Sequence, residues 1–254
     1  MSVLDPEQLT GRTRKHVREL KEPPCTLHPE AARAFLALRS AAALDGLDLT
    51  PASSFRDFDR QLAIWNDKFL GRRPLLDRDG RALDPALMSE TDIVRAVLHW
   101  SALPGASRHH WGTEIDVIDR KALMNGQLAQ LVPAEYAAGG VFAKLGLWLT
   151  QHAEGYGFFR PYDRDRGGVQ PEPWHLSYAP ISGAALPALT LEVLAEALQG
   201  VELAGASVVR AQLGDIHARY VRAVATPSPL ALAASRLPAE RVPADRVNPA
   251  ARPS

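Results

Sequence analysis

The chain has 254 residues, enough for one large domain or two small ones around a buried core. Its hydrophobic fraction of 46% and charged fraction of 23% are ordinary for a globular protein. Lys+Arg and Asp+Glu balance at 29 each, so no global field draws the chain to nucleic acid or an anionic membrane, and the single cysteine, Cys25, excludes an internal disulfide and an all-cysteine metal site.

The amino-terminal stretch has no continuous apolar run and so lacks the core of a secretory signal. No segment holds about 18 uninterrupted apolar residues, so no membrane span is expected and the expected location is cytoplasmic. Residues 1–26 are polar and turn-rich and read as an arm ordered on contact. From Leu27 the pattern is helical: His28 can cap, Pro29 suits the first helical position, and Ala31, Phe35, Leu38 and Ala42 recur at helical spacing. Leu47 to Thr50 alternates like a strand and runs toward Ser53-Ser54-Phe55-Arg56. Phe58, Leu62, Trp65 and Phe69 mark a second helix, and 71–85, rich in Arg, Asp, Gly and Pro, reads as a surface loop.

A third helix is expected over 91–101, a strand over 112–118, another helix over 140–154 and a short strand over 174–178. Two Ala/Leu-rich helices follow, one joining Leu191, Leu194 and Leu198, the other Val209, Leu213, Ile216 and Tyr220. Residues 226–254 are dense in Pro, Ala and charge without a period and read as a disordered or loosely attached tail. The resulting expectation is an α+β domain over 27–225, a small, mostly antiparallel sheet flanked by several helices.

Eight histidines are present, and a lone histidine is usually structural. His16 and His28 lie in the polar arm and at a helix start, and His99, His152 and His217 sit in helical stretches without a nearby carboxylate at ligand spacing, so all five read that way. The segment Ser107-Arg108-His109-His110-Trp111-Gly112-Thr113-Glu114-Ile115-Asp116 is different, because a histidine at a loop–strand junction and a carboxylate on the strand can converge on one side of a sheet. By itself it fits a metal site or a structural role equally. In Glu172-Pro173-Trp174-His175 a carboxylate lies three residues before a histidine at the entry to a strand. His175 could reach a metal shared with His109 and Asp116, with Glu172 beside the water it binds. Two nitrogens and one oxygen would leave the fourth position open, as a catalytic zinc requires.

These segments resemble a known family. The first is similar to the Ser-x-His-x-x-Gly-x-Ala-x-Asp motif of the zinc D-alanyl-D-alanine carboxypeptidases and dipeptidases, the group that includes the vancomycin-resistance peptidases. The second resembles their Glu-x-Trp-His motif. Upstream, Ser54-Phe55-Arg56-Asp57-Phe58-Asp59-Arg60-Gln61 resembles their Ser-x-Tyr/Phe-Arg-Ser-x-x-x-Gln element, and all three stand in family order across 27–178. The resemblance implies zinc (Zn2+) held by His109, Asp116 and His175, Glu172 as general base, and Arg56 steadying the scissile carbonyl oxygen. It places Ser107 and Gln61 near the substrate, and it implies a small antiparallel sheet with helices, shared with lysostaphin-type peptidases and the hedgehog signalling domain.

One position departs from the motif: Glu114 stands where the family has alanine. Strand alternation points it to the same face as Asp116, where it can pair with Arg56 or Arg108, contact substrate, or turn away through a bulge. His110 reads as a pocket wall or a support for the ligands, and Trp111 and Trp174 as cleft walls. The expected activity is hydrolysis of the bond before a terminal D-alanine, in D-Ala-D-Ala or a peptidoglycan-derived peptide. Cleavage between L-alanine and D-glutamate and a non-catalytic zinc-containing binding module are the alternatives.

Overall fold

The computed structural model of the chain describes residues 4–124 and 126–234. A short helix α1 (Pro6–Leu9) precedes a hairpin of β1 (Arg18–Lys21) and β2 (Pro24–Leu27) and the long helix α2 (Pro29–Leu44). Next come β3 (Leu49–Ser53), α3 (Phe58–Phe69), a small hairpin of β4 (Leu75–Leu76) and β5 (Ala82–Leu83), and α4 (Glu90–Trp100). The middle of the chain supplies β6 (Glu114–Asp119), α5 (Pro133–Tyr136), α6 (Ala143–His152), β7 (Phe158–Phe159) and β8 (His175–Tyr178). Five helices close the described chain: α7 (Ala179–Ala188), α8 (Leu191–Ala197), α9 (Ala206–Ala211), α10 (Leu213–Ile216) and α11 (Pro229–Ala233).

The architecture is α+β, as expected. Strands β3, β6, β8 and β7 form one sheet in that order, with every pairing antiparallel. Ile115, Val117 and Leu176 point to one face and are fully buried with Phe35, Leu38 and Trp65 from α2 and α3. Their neighbours in sequence, Glu114, Asp116, His175 and Ser177, therefore share the other face. Helix α2 starts where expected, with Pro29 in its first turn and the His28 ring accepting the Glu30 N–H at 3.3 Å. Among the described residues no helix is long and apolar enough to cross a membrane.

Four expectations need correction. The arm over 1–26 is built into the domain: Leu4, Leu9 and Cys25 join the main core, and β1 and β2 form a hairpin within it. Phe58 N–H donates to the Gly11 carbonyl at 2.9 Å, and Trp111 Nε1–H to the Leu9 carbonyl at 3.1 Å. These partners lie far away in sequence, so no local period announces them. The helix drawn through Val209 and Tyr220 is broken into α9, α10 and a π-helical segment, His217–Arg222. Its apolar spacing survives, with Val209, Ile216 and Tyr220 all buried. The loop over 71–85 carries the β4–β5 hairpin. Within the expected tail, α11 buries Ala231 against Phe159 and Ala179, while 235–254 lie outside the described residues.

Candidate active site

Asp116 and His175 are direct register partners across β6 and β8, so their side chains leave the same face side by side. His109 comes from a 3-10 turn, Arg108–Trp111, that ends at Gly112. Gly112 has φ +67°, and a Cβ there would collide with the Val17 side chain and the His28 amide. Only glycine lets the chain reverse here and enter β6.

The three residues each offer a ligand atom, and these atoms all lie within 4.8 Å of one another. His109 Nε2 is 3.4 Å from Asp116 Oδ2, and His175 Nδ1 is 3.0 Å from Asp116 Oδ1. Despite that proximity, the buried Oδ1 has no hydrogen-bond partner. Atoms so close yet not aligned for hydrogen bonding suit a shared third body. His109 Nδ1 is 2.8 Å from the Ser54 carbonyl, which can only accept, so Nδ1 carries the hydrogen and Nε2 keeps its lone pair. Two imidazole nitrogens and one carboxylate oxygen fit the donor set of a catalytic zinc site.

The electrostatics agree with that donor set. Burial holds His109 below the ordinary imidazole pKa and therefore neutral, with Arg56 adding to the effect. Burial opposes ionisation of Asp116, but the His109 and His175 rings keep its pKa well below the carboxylate range. His175 lies between Asp116 and Glu114, and these two carboxylates overcome burial and draw positive charge toward the ring. Glu172 Oε2 is 3.4 Å from His175 Nδ1, and burial, reinforced by Asp116, pushes the Glu172 carboxyl up to about 7.

His109, Asp116, Glu172 and His175, but not Glu114, face a cleft of about 820 Å³ that Arg56, Lys68, Ser107, Tyr162 and Trp174 also line. The loop over 71–85 contributes Arg73, Leu76 and Arg78 to its wall, and the stretch after Lys121 contributes Gln130 to Ala134. Arg56 is held from behind: its Nη1 donates to Gln61 Oε1 at 2.6 Å and its Nη2 to Ser53 Oγ at 3.3 Å. Ser107 and Trp174 stand on the cleft wall.

Gln61, expected beside the substrate, is fully buried beneath Arg56 and donates to the Ala102 carbonyl at 2.7 Å. Glu114, also weighed for substrate contact, is fully buried, and its Oε2 accepts from His175 Nε2 at 2.8 Å. Trp111 is not a cleft wall; it is fully buried under the amino-terminal segment, with the Arg108 guanidinium 4.6 Å from its ring centroid. His110 is fully buried too, its Nδ1 donating to the Arg56 carbonyl at 2.6 Å and its Nε2 accepting the Gly105 N–H at 3.2 Å.

Two cleft residues were missed by sequence reasoning. Tyr162 places its ring centroid 5.0 Å from that of His175 and its carbonyl 3.0 Å from the Glu172 amide. It lies in an irregular stretch with no motif to mark it. The Lys68 ammonium has no hydrogen-bond or ion-pair partner among the described residues, although Lys68 lines the cleft. It follows Gln61 by seven residues, two turns along α3, so helical phase alone would have placed both on one face.

A cluster of two histidines and an aspartate lining a polar cleft on an antiparallel sheet is an arrangement suited to metal-assisted hydrolysis. More narrowly, the chain belongs to the family described as VanY, D-alanyl-D-alanine carboxypeptidase, whose model matches residues 24–181. An uncharacterized protein of Haemophilus influenzae is 46% identical over 103 residues, covering 39% of this chain and 70% of that protein. Among solved structures, VanYB in complex with D-alanine-D-alanine is similar at a TM-score of 0.46 and 22% identity, covering 73% of this chain and 89% of that one. A vancomycin resistance D,D-pentapeptidase VanY in complex with Zn(II) is similar at a TM-score of 0.46 and 22% identity, covering 74% and 93%.

Proposed function

We propose that this chain is a zinc-dependent peptidase that hydrolyses the bond before a terminal D-alanine of a peptidoglycan-derived peptide or of D-Ala-D-Ala. The observation that carries the reading is the convergence of the His109, Asp116 and His175 donor atoms in a cleft that also holds Glu172 and Arg56. Zinc bound by those three residues supplies a Lewis acid that acidifies a water and polarises a carbonyl. Glu172 sits against the ligand set with a carboxyl near neutrality, poised to take a proton from the attacking water and pass it to the departing amine. Arg56, clamped by Gln61 and Ser53, aims a fixed positive charge at the carbonyl oxygen as it becomes negative. Ser107 and Trp174 line the cleft where the peptide lies.

The family's substrate class favours a D-alanine terminus over an internal L-Ala–D-Glu bond, and the presence of Glu172 favours turnover over a binding module. The test incubates zinc-loaded protein with D-Ala-D-Ala, pentapeptide-ended muropeptides and intact wall, and identifies products by mass. Free D-alanine is expected from wild type, with a loss of about 10²–10⁴-fold in Glu172→Ala. Equal release by both proteins removes Glu172 from the mechanism. No release from any substrate favours the binding module, and a new L-alanine terminus favours the endopeptidase.

A further inference from the structure

The position that departs from the family motif is the one most tightly enclosed in the site. Glu114 is fully buried on β6, where strand alternation puts it beside Asp116 and diagonal to His175 on β8. Its Oε2 lies 2.8 Å from His175 Nε2. Its Oε1 accepts from Ser177 Oγ at 2.8 Å and from Thr113 Oγ1 at 2.9 Å, and lies 3.4 Å from Arg108 Nη2. Arg108, itself buried, also donates to Ser177 Oγ at 2.6 Å. Every partner of the carboxylate other than His175 is a donor or a cation, an arrangement that favours an ionised, acceptor-only group. An ionised Glu114 can bond the His175 ring only by accepting Nε2–H. That leaves Nδ1, 3.0 Å from Asp116, as the ligand atom.

We propose that Glu114, anchored by Arg108, Ser177 and Thr113, is a positioning residue for the metal centre. It holds the Nε2–H of His175, orients the ring so that Nδ1 faces His109 and Asp116, and thereby sets how tightly the site grips a divalent cation. The proposal rests on the ligand set given above. It also explains why an acid occupies position 114. With alanine there, His175 Nε2–H and the Arg108 guanidinium would both be buried without this partner, and each is costly to leave unpaired. Partners of this kind behind a metal-ligating histidine typically contribute about 10–100-fold in metal affinity.

Zinc affinity is measured by competition with a chromophoric chelator for wild type, Glu114→Gln, and His175→Ala as a ligand control. Thermal melting of each metal-free protein is recorded alongside. Glu114→Gln keeps the size of the side chain and is expected to bind zinc about 10–100-fold more weakly than wild type. Binding within twofold of wild type overturns the proposal. If wild type and His175→Ala bind zinc equally, the ligand set itself is wrong, a separate failure. Should Glu114→Gln not fold, 15N NMR of the His175 ring in zinc-loaded wild type decides. Coordination through Nδ1 with Nε2–H retained supports the proposal, and coordination through Nε2 overturns it.

Discussion

Arg56 and Gln61 act as one unit, because the glutamine that fixes the guanidinium is itself buried and bonded to the Ala102 carbonyl. Arg56→Ala is expected to lower kcat by about 10²–10³-fold, the usual cost of losing one oxyanion donor. Gln61→Ala leaves the charge but frees the side chain, so it should lower kcat in the same direction by less. Steady-state kinetics of the two variants and their double mutant test this: losses that multiply would show that the residues act independently. Lys68 is a cation in the cleft without an ion pair among the described residues, and burial pulls its ammonium down to about 8, with Arg56 and Arg73 adding to the fall. Its charge is present below that pH and lost above it. For a peptide ending in a carboxylate, KM should therefore rise above pH 8 in wild type. Lys68→Met should start about tenfold higher and change little, while a carboxamide-ended peptide should not distinguish the two proteins. At this scale the proposed ligands, Glu172 and Arg56 were marked in the sequence by three segments that resemble the family's motifs, while residue types and spacing alone left a structural role open for the first of them. Tyr162 was not, since one loop tyrosine resembles any other in sequence, while helical phase put Lys68 on the face of Gln61 but gave it no chemical mark of its own.

Strands β6 and β8 bring Asp116 and His175, two of the proposed ligands, together because alternation along each strand selects a face and antiparallel register selects the neighbour. The same geometry explains the change in the reading of Glu114. Alternation correctly put it on the face of Asp116, but the register with Ser177 set it behind the ligands and away from the cleft. The turn into β6 is the sensitive joint. Gly112→Ala would have to adopt φ +67° against the Val17 side chain and the His28 amide, at a cost of about 1–3 kcal/mol from backbone strain alone. Urea denaturation of the metal-free protein should show that loss as a lower midpoint with an unchanged slope. An unaltered midpoint would mean that the turn relaxes without penalty. Helices α2, α3 and α4 were readable from period and capping residues, whereas the break between α9 and α10 leaves the apolar spacing intact and so carries no signature in the pattern.

The whole molecule closes around the site from its amino-terminal end. His16 Nε2–H donates to the His110 carbonyl at 2.8 Å, and His110 in turn donates to the Arg56 carbonyl, so this segment supports the backbone that bears Arg56, the proposed oxyanion donor. Burial lowers the pKa of His16, and burial together with Arg78 lowers that of His99. Both rings therefore take up protons less readily in the folded protein than in the unfolded chain, where they do so at about 6.5. Below that pH the unfolded state binds more protons, so stability falls as pH falls, by up to about 1.4 kcal/mol per pH unit for each ring. Denaturation in chelator at pH 7.5 and 5.5 should show this loss in wild type and a smaller one in a His16→Gln, His99→Gln double variant. An equal loss in both proteins would assign the effect to other groups. The α+β class, the strand that carries Asp116 and the four residues of the proposed metal and base set follow from the sequence, because short-range period and residue chemistry are local properties. Which side chains face the cleft, which stand behind the ligands, and how the amino-terminal segment joins the core were decided only by tertiary structure. Those outcomes depend on register and on contacts between residues far apart in the chain, such as Leu9 with Trp111 and Arg56 with His110, which no local pattern encodes.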